Sequence, residues 1–209
     1  SATLAPLFLA QVGRGPPGRR RTRASLGPKG AGFVERDGWN LVASADDWVG
    51  PVDAQVGPDG AVWVADWYNF IIQHNPTPAG FENGKGNAYE NPLRDHHYGR
   101  IYRIVYKGAP APKKVTLRAD KPADLVRALT NDNLLWRLTA QRLLVERRKT
   151  DVVPQLITLV ESKTVDELGL NPGALHALWT LHGLGLLDGS NAAATAAAVG
   201  ALAHPAAGV

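Results

Sequence analysis

The sequence predicts a segregated α+β fold, in which an antiparallel sheet region precedes an all-α region. Apolar and polar residues alternate with a period of two between Trp39 and Tyr106, whereas apolar residues follow a helical period after residue 118. The Pro- and Lys-rich stretch KGAPAPKK begins at Lys107, at the change of period. The domain boundaries we predict are 1–30 for a lead-in, 31–107 for the β region, 108–118 for a linker and 119–209 for the helices.

The composition is typical of a globular protein with a hydrophobic core. The chain has 209 residues, of which 44% are hydrophobic, and a formal net charge of +4. It contains no cysteine, which excludes disulfides, thiolate metal sites and a covalently attached haem within this chain. No stretch of the sequence is long and apolar enough to span a bilayer.

Positive charge is concentrated near the start of the chain, between Arg14 and Arg23, in a stretch that is also rich in Gly and Pro. Basic runs can bind nucleic acid, but such sites usually interleave aromatic residues on which bases stack. None occurs between Arg14 and Lys29. We therefore interpret residues 1–30 as a poorly structured basic lead-in and regard nucleic acid as an unlikely partner.

Five short runs rich in Val, Ile, Trp and Tyr predict β-strands. The tight turn Pro58-Asp59-Gly60 joins the second and third runs as a hairpin. We expect the last four runs to form one up-and-down antiparallel sheet, which is the unit of a β-propeller blade. A lone blade leaves both faces and an edge uncovered, so it should pack against further blades or against the helices. The runs are WNLVAS (39–44), PVDAQV (51–56), AVWVAD (61–66), FIIQH (70–74) and RIYRIVY (100–106).

The second half of the chain predicts helices that repeat. Pro122 suits the first turn of the first helix, and we expect Asp132 to cap the second. RLTAQRLL and ALHALWTL align at an offset of 37 residues, so that Leu144 corresponds to Leu181 in the alignment. This spacing is typical of two-helix solenoid repeats of the HEAT kind, and a generic helical bundle is the alternative.

The segment from Pro51 to Tyr106 contains DWYN, HNPTP, GKGNAYE, LRD and GRIYRI in this order, and NLLWRLTAQRLLVER and ALHALWTLHGLG follow it. With these motifs the chain resembles a bacterial family of membrane-bound or secreted dehydrogenases, over about residues 30–204. The family joins a β-propeller similar to glucose/sorbosone dehydrogenases to HEAT-like repeats, and often to a c-type cytochrome domain. The earlier blades and the haem-binding CxxCH motif are missing from this chain.

The resemblance implies that the chain is the last propeller blade and the start of the helical array of a quinoprotein-like sugar or alcohol dehydrogenase. It implies pyrroloquinoline quinone (PQQ) and Ca²⁺ as cofactors, and a periplasmic, secreted or membrane-associated location. The implied partners are the remaining propeller blades and a cytochrome c domain or protein as electron acceptor. We expect this chain by itself to hold an incomplete active site.

Two loops, 43–50 and 65–69, should open on the same face of such a blade. Carboxylate and amide oxygens suit Ca²⁺, and aromatic faces suit a sugar ring or a planar quinone. The alternative is that Asp66 and Asn69 cap a turn while Trp67 packs between blades. The metal-ligand candidates are Asp46, Asp47 and Asp66, and the cofactor-binding candidates are Trp48, Asp66, Trp67, Tyr68 and Asn69.

The long connection from residue 74 to residue 99 holds the catalytic candidates, His74 and Arg94. His74 could act as a general base on a sugar hydroxyl while a hydride leaves to the cofactor. Simple blade geometry places this connection on the opposite face, so a structural role for His74 is the alternative. Arg94 could instead form a loop-anchoring ion pair with Asp95.

The sequence thus leaves two functions open: a part of a dehydrogenase, or a non-catalytic interaction scaffold. If Asp46, Asp66 and Asn69 point at one common empty position, a ligand site is favoured. If their side chains cap local backbone instead, the scaffold is favoured.

Overall fold

The computed structural model describes residues 20–30, 32–46, 48–69, 97–108 and 110–209. The candidates Asp47, His74 and Arg94, and the predicted strand FIIQH, lie outside these residues. The described part of the chain has a mixed α+β fold, with strands before helices. Its elements are β1 (Arg20–Lys29), β2 (Gly32–Ala43), β3 (Pro51–Val56), β4 (Val62–Asp66), β5 (Arg100–Ile104), α1 (Pro122–Ala128), α2 (Leu134–Glu146), α3 (Val153–Glu161), α4 (Pro172–Gly183) and α5 (Ala192–Ala201).

The chain divides into two compact units that interleave in sequence. The first contains the described residues within Ser1–Leu26, Glu35–Gln55 and Ala61–Ala109. The second contains Gly27–Val34, Val56–Gly60 and Pro110–Val209, and therefore all five helices described.

The first unit is built on a three-stranded antiparallel sheet in the order β3–β4–β5. Strand β4 pairs with β5 so that Val62 lies opposite Ile104 and Asp66 opposite Arg100. Because side chains alternate along a strand, Val62, Val64 and Asp66 share one face of the sheet, and all three are buried. We call this the inner face.

The other face of β4 and β5, which we call the outer face, remains exposed. Trp63 and Ile101 lie on it, with 38% and 72% of their surfaces exposed, and Val105 follows in the same alternation with 49% exposed. The predicted alternation of both runs therefore matches the structure, and only one of the two faces is covered.

Strands β1 and β2 form a separate two-stranded sheet. Strand β1 lies where we predicted a poorly structured lead-in, so the structure differs from the prediction over Arg20–Lys29. The physical reason is pairing: Gly30 turns the chain with a φ of +59°, and β2 then supplies partners for the β1 backbone. A basic composition does not by itself prevent a strand that has a partner.

In the second unit, helix α1 begins at Pro122 as predicted, but the predicted cap of α2 is wrong by one residue. Asn133 caps α2, because its Oδ1 accepts a hydrogen bond from Leu135 N at 3.0 Å. Asn131 Oδ1 in turn accepts from Asn133 N at 2.8 Å, and this turn holds Asn133 in an extended conformation. Asp132 lies between the two and provides no cap.

The capping asparagines of α2 and α4 also fix a neighbouring stretch of chain. Asn133 Nδ2 donates to the carbonyl oxygen of Gly57 at 2.8 Å. Asn171 caps α4 through Ala174 N, and its Nδ2 donates to the carbonyl oxygens of Ser162 and Thr164, each at 2.9 Å. One carboxamide therefore satisfies a helix end and a loop at once.

The helices pack in a regular order: α1 against α2, α3 against α4, and each of α2 and α3 against the helix two positions later. Four residues that the 37-residue offset relates in pairs are fully buried in the core: Ala140 and Ala177, and Leu144 and Leu181. None of the helices in the described part of the chain is long and apolar enough to cross a membrane.

Glycine allows α4 to approach its neighbours closely. A Cβ at Gly173 would lie 2.8 Å from Cγ2 of Thr130, and one at Gly183 would lie 2.7 Å from Cγ2 of Val145. These distances are shorter than carbon–carbon contacts allow, so a larger residue would displace the neighbouring side chains.

A polar pair lies between α2 and α4. His176 is 6% exposed, and its Nδ1 lies 2.7 Å from Oε1 of Gln141, to which it donates. Burial, and secondarily the positive charge of Arg137, lower the pKa of His176 below its ordinary value. The folded chain therefore favours the neutral imidazole.

Replacing Asn133 by Ala should lower the free energy of unfolding by about 1–2 kcal/mol, because the helix cap and the bond to Gly57 are both lost. Asp132→Ala is the matched control and should change it by less than about 0.5 kcal/mol. Urea unfolding followed by circular dichroism at 222 nm measures both. A larger effect of Asp132→Ala would show that the cap assignment is wrong.

The helical unit should lose stability as the pH falls below about 6.5, the ordinary pKa of histidine. The unfolded chain takes up the proton on His176 first, since its pKa is lowered in the folded state. His176→Gln should remove this loss, and His182→Gln, an exposed position on the same helix, should retain it. Thermal unfolding between pH 5 and 8 would refute the assignment if the two variants behaved alike.

Candidate functional site

The structure brings the two predicted loops, 43–50 and 65–69, side by side in the first unit. Asp66 makes the central contact, because its Oδ1 accepts hydrogen bonds from Gly50 N at 2.7 Å and from Tyr68 N at 2.9 Å. Trp67 N donates to the carbonyl oxygen of Gly50 at 2.9 Å. This second bond joins the residue after β4 to the residue before β3. A single carboxylate oxygen thus holds both loops.

The second oxygen of the same carboxylate is different. Asp66 is 3% exposed, and its Oδ2 has no hydrogen-bond partner among the described residues. A buried polar atom without a partner carries a free-energy cost, so this oxygen is the point of the site most ready to accept a donor.

Asp46 also bonds to the protein. Its Oδ1 accepts from Trp48 N, and its Oδ2 accepts from the hydroxyl of Tyr68, both at 3.0 Å. The rings of Trp48 and Tyr68 lie 6.0 Å apart and are tilted by 32°, within the range of aromatic pairing. The aromatic and acidic candidates of the two loops therefore form one cluster.

Tyr68 adopts an unusual backbone conformation, with a φ of +46°. The left-handed region costs a non-glycine residue about 1 kcal/mol or more. The bond from its N–H to Asp66 stabilises this conformation, because the acceptor side chain lies two residues earlier. The turn places the Tyr68 ring between Asp46 and β5.

Arg100 completes the cluster, and sequence reasoning missed it. Its guanidinium carbon lies 3.5 Å from the centroid of the Tyr68 ring, a cation–π contact. Its Nη1 lies 3.5 Å from the Tyr102 hydroxyl, and this hydrogen bond is the main cause of a raised pKa of Arg100. Strand alternation in the sequence indicates only that Arg100 and Tyr102 share a face of β5. The contact of Arg100 with Tyr68 depends on how β5 pairs with β4, which the sequence does not reveal.

The remaining candidates have different surroundings. Asn69 is buried, with 2% of its surface exposed, whereas Trp67 is 51% exposed. Trp48 is half-buried. Among the residues that the structure describes, no group of three or more His, Cys, Asp or Glu side chains could hold a metal ion.

Comparison with known proteins gives a match to a protein family model. Residues 16–108 match a family model described as a domain of unknown function (DUF7133). The match covers less than half of the chain, and it includes every described residue of the cluster. No curated protein gives a significant match. No solved structure does so either.

Asp66→Ala should destabilise the first unit by about 2 kcal/mol, because two backbone N–H groups lose their acceptor in a buried place. Hydrogen exchange at the Gly50 and Tyr68 amides should accelerate together. Asp46→Ala is the control: it should accelerate exchange at Trp48 and leave Gly50 unchanged. Unaltered exchange at Gly50 in Asp66→Ala would contradict the role given to this carboxylate.

Proposed function

We propose that this chain is a structural and interaction module of a larger propeller-type protein, in which its sheet acts as one blade and its helices as a HEAT-like stack. The observation that carries the proposal is the outer face. Trp63, Ile101 and Val105 are large apolar residues, yet they remain exposed on a sheet whose inner face is already buried. A sheet that exposes large apolar side chains on its second face is typical of a blade that lies between two others.

The orientation of the acidic candidates supports a module over a complete active site. Asp46 binds a backbone N–H group of its own loop, and Asp66 binds one of its own loop and one of the neighbouring loop. A carboxylate in that arrangement fixes a loop, which is what a packing module requires. Residues 65–69 thus end strand β4 in a turn that is fastened to the neighbouring loop.

A role in a sugar or alcohol dehydrogenase is the second candidate, and one observation favours it. Asp66 Oδ2 has no partner among the described residues, and it belongs to a side chain next to Tyr68 and its neighbour Trp48. A hydroxyl group or a cation such as Ca²⁺ could bind there, and a quinone such as PQQ would supply the hydride acceptor when bound. In this proposal the chain contributes residues to a site that further blades complete, in a periplasmic or membrane-associated protein.

The outer face gives the test. Sedimentation velocity of the purified chain should show concentration-dependent association, because large apolar side chains exposed on a sheet face favour pairing with another copy. Ile101→Lys should abolish this association at an unchanged melting temperature, since Ile101 is exposed. Lys121→Ala, at an exposed position of the helical unit, is the control and should associate like the wild type.

A chain that stays monomeric at all concentrations, or an Ile101→Lys variant that associates equally, would contradict the packing proposal. The same chain, supplied with aldoses, PQQ, Ca²⁺ and a redox dye, should show no turnover. Turnover that Asp66→Ala abolishes would instead show that a complete dehydrogenase site lies within these 209 residues.

A further inference from the structure

Arg100 and Asp66 occupy positions at which an ion pair would be expected. They lie directly opposite each other on β5 and β4, so their side chains project from the same, inner face of the sheet. Asp66 instead directs Oδ1 to the backbone N–H groups of Gly50 and Tyr68. Oδ1 of the neighbouring carboxylate is therefore engaged elsewhere, and neither of its oxygens forms an ion pair with Arg100 among the described residues.

Arg100 has only aromatic neighbours as partners among the described residues. Its guanidinium lies over the Tyr68 ring, and its long hydrogen bond goes to the Tyr102 hydroxyl. The ion pairs of the described residues involve other arginines. Arg100 is exposed, so an incoming group can reach its guanidinium.

The support beneath this guanidinium is fixed in place. The backbone of Tyr68 is held at a positive φ by Asp66, and its hydroxyl donates to Asp46 Oδ2. A hydroxyl that donates to a carboxylate makes its ring more electron-rich, which strengthens the attraction for a cation above the ring. The arginine is thus oriented before any ligand arrives, which reduces the entropy lost on binding.

We propose that Arg100, supported by Tyr68, binds a carboxylate from outside the described chain. The planar edge of a guanidinium matches the two oxygens of a carboxylate. Asp46 binds the Tyr68 hydroxyl and Asp66 binds the Tyr68 backbone N–H, and these two carboxylates repel a doubly charged phosphate more strongly than a singly charged carboxylate. The carboxylate can come from an acidic sugar or from the C-terminus of a polypeptide.

This inference does not depend on the packing of the outer face, because Arg100 lies on the inner face. The experiment is a titration of the ¹⁵N-labelled full chain, followed by amide and arginine side-chain NMR signals. The probes are glucuronate for an acidic sugar and N-acetylalanine for a polypeptide terminus. Glucose, N-acetylalanine amide and inorganic phosphate are the matched controls.

At least one of the two acids should shift the Tyr68 and Arg100 signals in a saturable way, and the neutral controls should not. Arg100→Gln should weaken this binding roughly tenfold or more, because a charge-assisted bidentate bond is lost. Arg100→Lys should give an intermediate affinity. Arg103→Gln, on the opposite face of the same strand, should stay within about twofold of the wild type.

Binding of glucuronate alone identifies a sugar acid, and binding of N-acetylalanine identifies a polypeptide terminus; either supports the carboxylate site. Three results would overturn it: no saturable shift with either acid, equal binding by Arg100→Gln, or phosphate binding at least as tight as both acids. The amide spectrum of each variant reports whether the variant is folded. If Arg100→Gln does not fold, Arg100→Lys still tests the site.

Discussion

Buried backbone N–H and C=O groups must find hydrogen-bond partners wherever a strand or a helix ends, and this requirement organises the described parts of the chain. Short polar side chains meet it. Asp66 holds the N–H groups of two loops in the first unit. Asn133 and Asn171 do the same work in the second unit, where each caps a helix and binds a separate loop. The elements keep their places because these few side chains satisfy two stretches at once.

The same requirement explains why the candidate site differs from a simple set of ligands. An aspartate at the end of a strand was expected either to bind a ligand or to cap backbone, and Asp66 does the second with one oxygen and leaves the other free among the described residues. Tyr68 follows from that choice, because its strained backbone is held by the cap. Arg100 then stacks on Tyr68. The hydrogen bond between Asp66 and the Tyr68 backbone thus determines where the Tyr68 ring and Arg100 lie.

Local patterns in the sequence predicted the parts of the fold that local forces decide. The alternation of Val62, Trp63 and Val64 gave the strand and its faces, and Pro122 gave the start of α1. The cap of α2 was not decided locally. Asn131, Asp132 and Asn133 are all good caps, and the choice depends on a turn at Asn131 and on Gly57, which lies 76 residues away. Strand β1 was missed for a similar reason, since its partner and not its composition makes it a strand.

Arg100 shows the same limit for the site. Its place in an alternating strand was predicted correctly. The connection before β5 is long, so the sequence does not determine which residue of β4 lies opposite Arg100. The proposed dehydrogenase role, with PQQ, Ca²⁺ and residues such as His74 and Arg94, rests on resemblance and stays a prediction. The described geometry adds what resemblance did not indicate, namely a positively charged group held over an aromatic ring.

The glycines of α4 have a consequence for how this helical array can change in evolution or in the laboratory. Gly173 and Gly183 lie at two points where the helix touches Thr130 and Val145. A side chain at either position would force α4 away from the residues that it touches. A helix transplanted into the place of α4 would therefore have to keep both glycines, or Thr130 and Val145 would have to be replaced by smaller residues at the same time.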